Sequence, residues 1–260
     1  MKDALLAKKA KKVRKDCLTY VWKAKSSHIG SMLSVVDILT YLIYEKIKNG
    51  DKVILSKGHA SLALYSILAD KKIISAEELK SYCQNGSRLI GHLSHKVPGV
   101  DVSTGSLGHG LSMAAGIALA NKMDNRKNWV YCLIGDGECQ EGAVWEAFVF
   151  IARHKLKKLV VIVDANKLQG YDFCNKLFPE KKLISMLKAT GLNFYEVNGH
   201  DFSELRRVFK RVEKNSSEKA SIIFAHTIKG KGVSFMENRL EWHYKSPDDK
   251  QLEIALKELK

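Results

Sequence analysis

Short, nearly unbroken apolar runs alternate along the chain with stretches whose apolar residues recur every three or four positions. The runs are VIL (53–55), WVYCLIG (129–135), LVVIV (159–163), NFYEV (193–197) and SIIFA (221–225). Each has strand length and is bounded by turn-forming residues. Helical spacing predicts helices over residues 4–25, 37–48, the segment after SKGH, LSMAAGIALANKM (111–123), EGAVWEAFVFIARHK (141–155), from about 183, and 202–214. Ser75 followed by Glu78 has the form of a capping box, and predicts a helix running to about Cys83. Strands that alternate with helices, and are themselves apolar throughout, belong in a mostly parallel sheet covered on both faces. The predicted fold is α/β, a doubly wound sheet with helices on both sides.

Composition narrows the function classes. At 260 residues, with 45% hydrophobic and 27% charged residues and three prolines, the chain has the make-up of one large α/β domain or two small ones. No apolar stretch has the length of a membrane span. The basic N-terminus, MKDALLAKKAKKVRKD, lacks the apolar core of a secretory signal and reads as a solvated amphipathic helix. The five cysteines form no C-x-x-C pair, which points to reduced thiols in a cytoplasmic protein rather than a disulfide framework or zinc site. The net charge of +15 raises nucleic-acid binding. Its lysines, however, are dispersed, and no zinc finger, RNA-recognition or helix-turn-helix pattern accompanies them. Neither a nucleic-acid nor a membrane partner is expected.

The chemistry concentrates in GDG at 135–137, after one strand and before a helix. In a parallel sheet, ligands bind beyond the carboxyl ends of the strands. Glycines there allow close backbone approach, and a following helix N-terminus suits an anion. Asp136 would repel that anion unless a hard divalent cation lay between them. About thirty residues later the next strand ends in Asp164-Ala165-Asn166. The amide oxygen of Asn166 and a main-chain carbonyl near Leu168 could complete an oxygen ligand set. Neither the G-x-G-x-x-G dinucleotide spacing nor a Walker lysine is present.

GDGECQEGAVWEA with DANKLQGYD resembles the thiamine-diphosphate-binding domain of transketolases. So do SSHIGSMLS, LSKGHASLALYSIL, PGVDVSTGSLGHGLSMAAGIALA and TIKGKGVSFMEN followed by WHYKSP, in the same order. The resemblance covers roughly residues 10–247, with departures at Ile29, Ser106 and His109. It implies a thiamine diphosphate cofactor and Mg²⁺, or a similar ion such as Ca²⁺ or Mn²⁺, held by Asp136, Asn166 and the Leu168 carbonyl. It implies a diphosphate contact at Gly137 and an aminopyrimidine cradle at Gly105 and Leu107. His59 and His243 would lie by the diphosphate and reacting centre, and His28 and His92 along the substrate channel. Glu141 would be a buried acid of a dimer interface. Histidine suits proton transfers to and from sugar hydroxyls because it titrates near neutral pH.

A full transketolase is more than twice this length. The resemblance therefore implies that residues 1–260 form a single diphosphate-binding domain. The pyrimidine-binding and C-terminal domains would lie on a separate C-terminal subunit, in an α2β2 assembly acting on sugar phosphates. Other split thiamine-diphosphate enzymes (1-deoxyxylulose-phosphate-synthase-like or acting on 2-oxo acids) and a non-catalytic module of the same fold are the alternatives.

Overall fold

The computed structural model describes residues 1–215 and 218–260. Among them, five strands form one parallel sheet in the order β1-β2-β3-β5-β4: β1 Lys52–Leu55, β2 Val130–Gly135, β3 Leu159–Ala165, β4 Asn193–Asn198 and β5 Ser221–His226. β3 is central and buried at every position, which is why its sequence shows no polar alternation.

Alternate residues of each strand feed two separate cores. Tyr131, Leu133, Val160, Ile162 and Ile223 face one side, against α1 (Asp3–Ala24), α2 (Ile29–Tyr41), α3 (Ser61–Asp70), α8 (Phe202–Lys214) and α9 (Asp249–Glu258). Cys132, Ile134, Val161, Val163 and Phe224 face the other, against α5 (His109–Met123), α6 (Gly142–Arg153) and α7 (Glu180–Ala189). Both faces are thus covered, as the strand pattern predicts. Among the described residues, no helix is long and apolar enough to cross a membrane.

Most boundaries fall within a few residues of expectation, and the differences have physical causes. α2 begins at Ile29 rather than 37 and continues as a π-helical turn over Leu42–Lys46. Every residue of α2 is buried, so no polar stripe marks where it starts. α4 (Ala76–Lys80) is shorter than expected. Ser75 does cap it, accepting from the Glu78 amide, but the Glu78 carboxylate is drawn to Arg88 and the chain turns through a left-handed Cys83. α7 starts three residues early, after Pro179. α9, fixed by a reciprocal Asp248–Gln251 capping box, has no counterpart in the sequence reading.

The small residues of α5 let it lie close to the sheet. Gly110 sits against Ser56 at the end of β1, where a β-carbon would collide with the serine. This packing brings the loop that precedes α5 to the carboxyl ends of β1 and β2.

Candidate active site

A cleft of about 330 Å³ opens at the carboxyl ends of the parallel strands. All eleven residues singled out from sequence line it: His28, His59, His92, Gly105, Leu107, Asp136, Gly137, Glu141, Asn166, Leu168 and His243. They arrive from seven different segments of the chain, which the fold gathers at one end of the sheet.

The floor is built by β2 and β3, whose ends are aligned by the Gly135–Asp164 register. Asp136 is buried, and its carboxylate accepts from the amides of Gly137 (2.9 Å) and Lys167 (2.6 Å). Burial and the neighbouring Asp164 nevertheless push its carboxyl up to about 6. An acid held this way is an anion that a bound cation would relieve. Asn166 is also buried, and its amide oxygen turns back to the Leu168 amide (3.2 Å). Gly137 permits the close passage of Gln169, whose Cβ would lie 3.0 Å from an added β-carbon.

This donor set fits a hard divalent ion. One carboxylate, one carboxamide and one carbonyl, the last now accepting from Lys229, would supply oxygen ligands of the kind such an ion takes. Among the described residues no three His, Cys, Asp or Glu side chains converge as a self-sufficient metal cage.

Four imidazoles line the same cleft. The His28 ring centroid lies 5.3 Å from that of His59, 5.5 Å from His92 and 4.8 Å from His243, and His59 lies 5.5 Å from His243. His28 takes a left-handed conformation (φ 72°) and donates its amide to the His243 carbonyl at 2.7 Å, tying the two segments together. Burial, then His92, Lys229 and Lys57, lower His28 to about 4. Burial, then Lys229, His28 and Lys57, lower His243 to about 3. His59 and His92 are lowered as well, chiefly by burial. The rings are therefore neutral at pH 7 rather than poised near it. Each carries one donor and one acceptor nitrogen, and the acceptor of His243 is already taken by the Lys229 ammonium.

The loop bearing Gly105 and Leu107 is pinned at both ends. Thr104 donates its hydroxyl to the Leu55 carbonyl (2.7 Å), and the Gly108 amide donates to Glu138 (2.9 Å). A β-carbon on Gly105 would sit 2.8 Å from the His92 ring. Glu138, not Glu141, is the buried acid of this region: it also accepts from Ser56 and the Gly135 amide. Glu141 is exposed at the rim of this chain, where burial would require a second chain to cover it.

Sequence reasoning missed the two buried lysines. Lys57 pairs with Asp164 and also reaches the Ser31 carbonyl (3.2 Å). Burial alone would raise Asp164, but Lys57, Ser34 and Thr227 hold it below its ordinary range. Lys229 donates to the carbonyls of Leu168 (3.2 Å) and Gln169 (3.0 Å) and to Nδ1 of His243 (3.0 Å). Burial, then Lys57, lower it to about 8. The available signal was position: SKGH follows β1 directly, and TIKG follows β5.

Residues 6–258 match the family described as transketolase, thiamine diphosphate binding domain. The chain is 38% identical to one of the subunits of the apulose-4-phosphate transketolase of Actinobacillus succinogenes, over 98% of this chain and 96% of that one. It is 34% identical to SqwG, a 6-deoxy-6-sulfo-D-fructose transketolase subunit of a Clostridium species, again over 98% and 96%. Its structure is similar to the transketolase of Campylobacter jejuni, with a TM-score of 0.94 and 30% identity over the whole of this chain. It spans only 43% of that larger enzyme.

Proposed function

The chain belongs to the transketolase thiamine diphosphate-binding family, and from that premise we propose that it is the N-terminal subunit of a two-chain transketolase. The partner is a separate C-terminal subunit, and the α2β2 assembly moves a two-carbon ketol unit from a ketose phosphate to an aldose phosphate. Residues 1–260 act as a single diphosphate-binding domain, and the pyrimidine-binding and C-terminal domains come from the partner. Support comes from the near-complete overlap with relatives that are themselves named as transketolase subunits, against two fifths of a full transketolase. The absence of a membrane-crossing helix among the described residues and the five free cysteines are in keeping with a cytoplasmic setting.

One observation carries the reading: a buried carboxylate, a carboxamide and a carbonyl share one cleft with four neutral histidines. Asp136, Asn166 and the Leu168 carbonyl would hold Mg²⁺ or a similar divalent ion. Thiamine diphosphate, when bound, supplies the electron sink for breaking and making a carbon–carbon bond beside a ketone. Gly137 admits the diphosphate close to the backbone, and the ammoniums of Lys57 and Lys229 offset its charge. Gly105 and Leu107 would cradle the cofactor's aminopyrimidine ring. His59 and His243 would lie near the diphosphate and reacting centre, and His28 and His92 would line the approach. Being neutral, His28, His59 and His92 can accept a hydroxyl proton at a free ring nitrogen without first losing one to solvent, while His243, whose Nδ1 accepts from Lys229, can donate from Nε2.

The test is to purify the tagged chain with any stoichiometric partner and assay ketol transfer with and without thiamine diphosphate and Mg²⁺. Activity only in the two-chain complex, dependent on both additions, is the expected result. High activity from the chain alone would sink the two-chain reading, and a complex indifferent to thiamine diphosphate would sink the cofactor assignment.

A further inference from the structure

Lys229 is carried on the turn that follows β5, and that turn is gripped from outside the cleft. The Ile228 amide donates to Nε2 of His200 at 2.9 Å. The Lys231 carbonyl accepts from Nε of Arg14 at 3.0 Å. Both gripping side chains meet at Asp37. Its carboxylate takes two bonds from the Arg14 guanidinium, at 2.9 and 2.6 Å, and lies 2.6 Å from Nδ1 of His200. Arg14 and Asp37 are buried, and neither touches the cleft.

The bonding fixes the histidine tautomer. Nε2 accepts an amide proton, so it carries none. Nδ1 therefore holds the ring proton and donates it to Asp37. A third tie, from the Gly230 amide to the Gly30 carbonyl (3.0 Å), presses the turn onto α2. There the absence of a side chain on Gly30 leaves space for Lys229, whose Cγ would be 3.1 Å from an added β-carbon. The lysine stem is thus confined along its length and the turn is held at both ends.

We propose that His200, anchored by Asp37, is a positioning residue for the cofactor site: it holds the Ile228–Lys231 turn so that the Lys229 ammonium reaches the floor of the cleft. This rests on the cofactor reading above. His200 touches no ligand and acts through Lys229 alone. Removing it lets the turn relax and withdraws one directed charge, which corresponds to about a tenfold loss of affinity for a bound diphosphate.

The experiment measures binding of magnesium inorganic diphosphate to the full chain by calorimetry, for wild type, His200→Ala, Lys229→Met and the double variant. His200→Ala should weaken binding about tenfold, and adding it to Lys229→Met should weaken it no further, since the histidine acts only through the lysine. His200→Gln, whose amide can donate to Asp37 and accept from Ile228, should restore most of the affinity. Additive losses in the double variant would overturn the positioning role. Amide exchange at Ile228, Lys229 and Gly230 in the ligand-free chain separates this failure from that of the cofactor reading. Exchange should quicken in His200→Ala and recover in His200→Gln, and unchanged exchange would overturn the inference by itself. A wild-type chain that binds no magnesium diphosphate would instead overturn the cofactor reading.

Discussion

Nζ of Lys229 lies 3.0 Å from Nδ1 of His243, an ammonium set against a ring nitrogen at the edge of the cleft. The contact requires that Nδ1 accept, so the ring proton sits on Nε2, the nitrogen nearest Gly170. Protonating His243 would place two cations in contact, which together with burial explains why its ring is lowered to about 3. Replacing Lys229 by Met removes the ammonium and keeps the bulk. The His243 titration midpoint, read from its ring resonances by NMR, should then move up toward the ordinary 6.5. An unmoved midpoint would mean that burial, with the charges of His28 and Lys57, sets it without the ammonium.

The same depressions make ligand-free stability depend on pH. His28 and His243, lowered to about 4 and about 3, stay neutral in the folded chain at pH 5, whereas in the unfolded chain they are protonated below about 6.5. The unfolded state then binds more protons, so stability falls as pH drops from about 6.5 toward 4. Asp136, raised to about 6, works in the opposite direction over part of that range. Two histidines against one carboxyl leave a net loss, and His59 and His92 add to it. The melting temperature should be lower at pH 5 than at pH 7, and replacing His28 and His243 together by Asn should flatten the difference.

Asp136→Asn should separate stability from binding. At pH 7 the buried carboxylate is ionised against a carboxyl raised from 3.8 to about 6. That interval corresponds to roughly 3 kcal/mol of destabilisation. A carboxamide cannot accept both backbone amides, which returns about 1 kcal/mol. The ligand-free variant should therefore be more stable by ~2 kcal/mol at pH 7, with the gain fading as pH falls from about 6 to about 4, while Mg²⁺-dependent diphosphate binding is lost. Chemical denaturation across pH and a calorimetric titration read the two effects independently.

What the sequence made legible, and what it hid, follows from where each residue's signal resides. β3 was plain because a central parallel strand is apolar throughout, and α8 because its polar face is continuous and Asp201 caps it. The start of α2 was hidden because burial on all sides erases periodicity. That Asp136, Asn166 and Leu168 share one cleft was readable because chain order and strand spacing put both strand ends at one end of the sheet. Lys57 and Lys229 were not, since among 43 basic residues nothing local distinguishes a lysine that turns inward. Glu138 and Glu141 stand three residues apart in one loop, and only packing shows that the first is the buried one.

Gly105 gives a test of the ring-holding loop. Gly105→Ala would put a β-carbon 2.8 Å from the His92 ring, and the backbone there (φ 155°) already favours glycine. Relief requires the loop to shift or His92 to swing away. Thiamine diphosphate affinity in the two-chain complex should drop about tenfold or more, while magnesium inorganic diphosphate, which needs only the floor, binds as before. Equal losses for both ligands would mean that the loop and the floor move as one body.

Glu141 tests the two-chain reading from the opposite direction. Within this chain it is exposed and lines the rim of the cleft, just before α6, so nothing in the isolated fold depends on its charge. Exposed substitutions of this kind usually change stability by less than about 0.5 kcal/mol. If a partner subunit covers the rim, the same carboxylate becomes buried, and its hydrogen-bond partner must come from the partner. Removing one member of such a buried pair typically weakens association by about 2–5 kcal/mol. Glu141→Gln should therefore leave the melting temperature of the isolated chain unchanged, yet lower both complex affinity and ketol transfer. A variant that assembles and turns over like wild type would show that the rim acid stays in solvent. The buried acid of the working site would then be Glu138 alone.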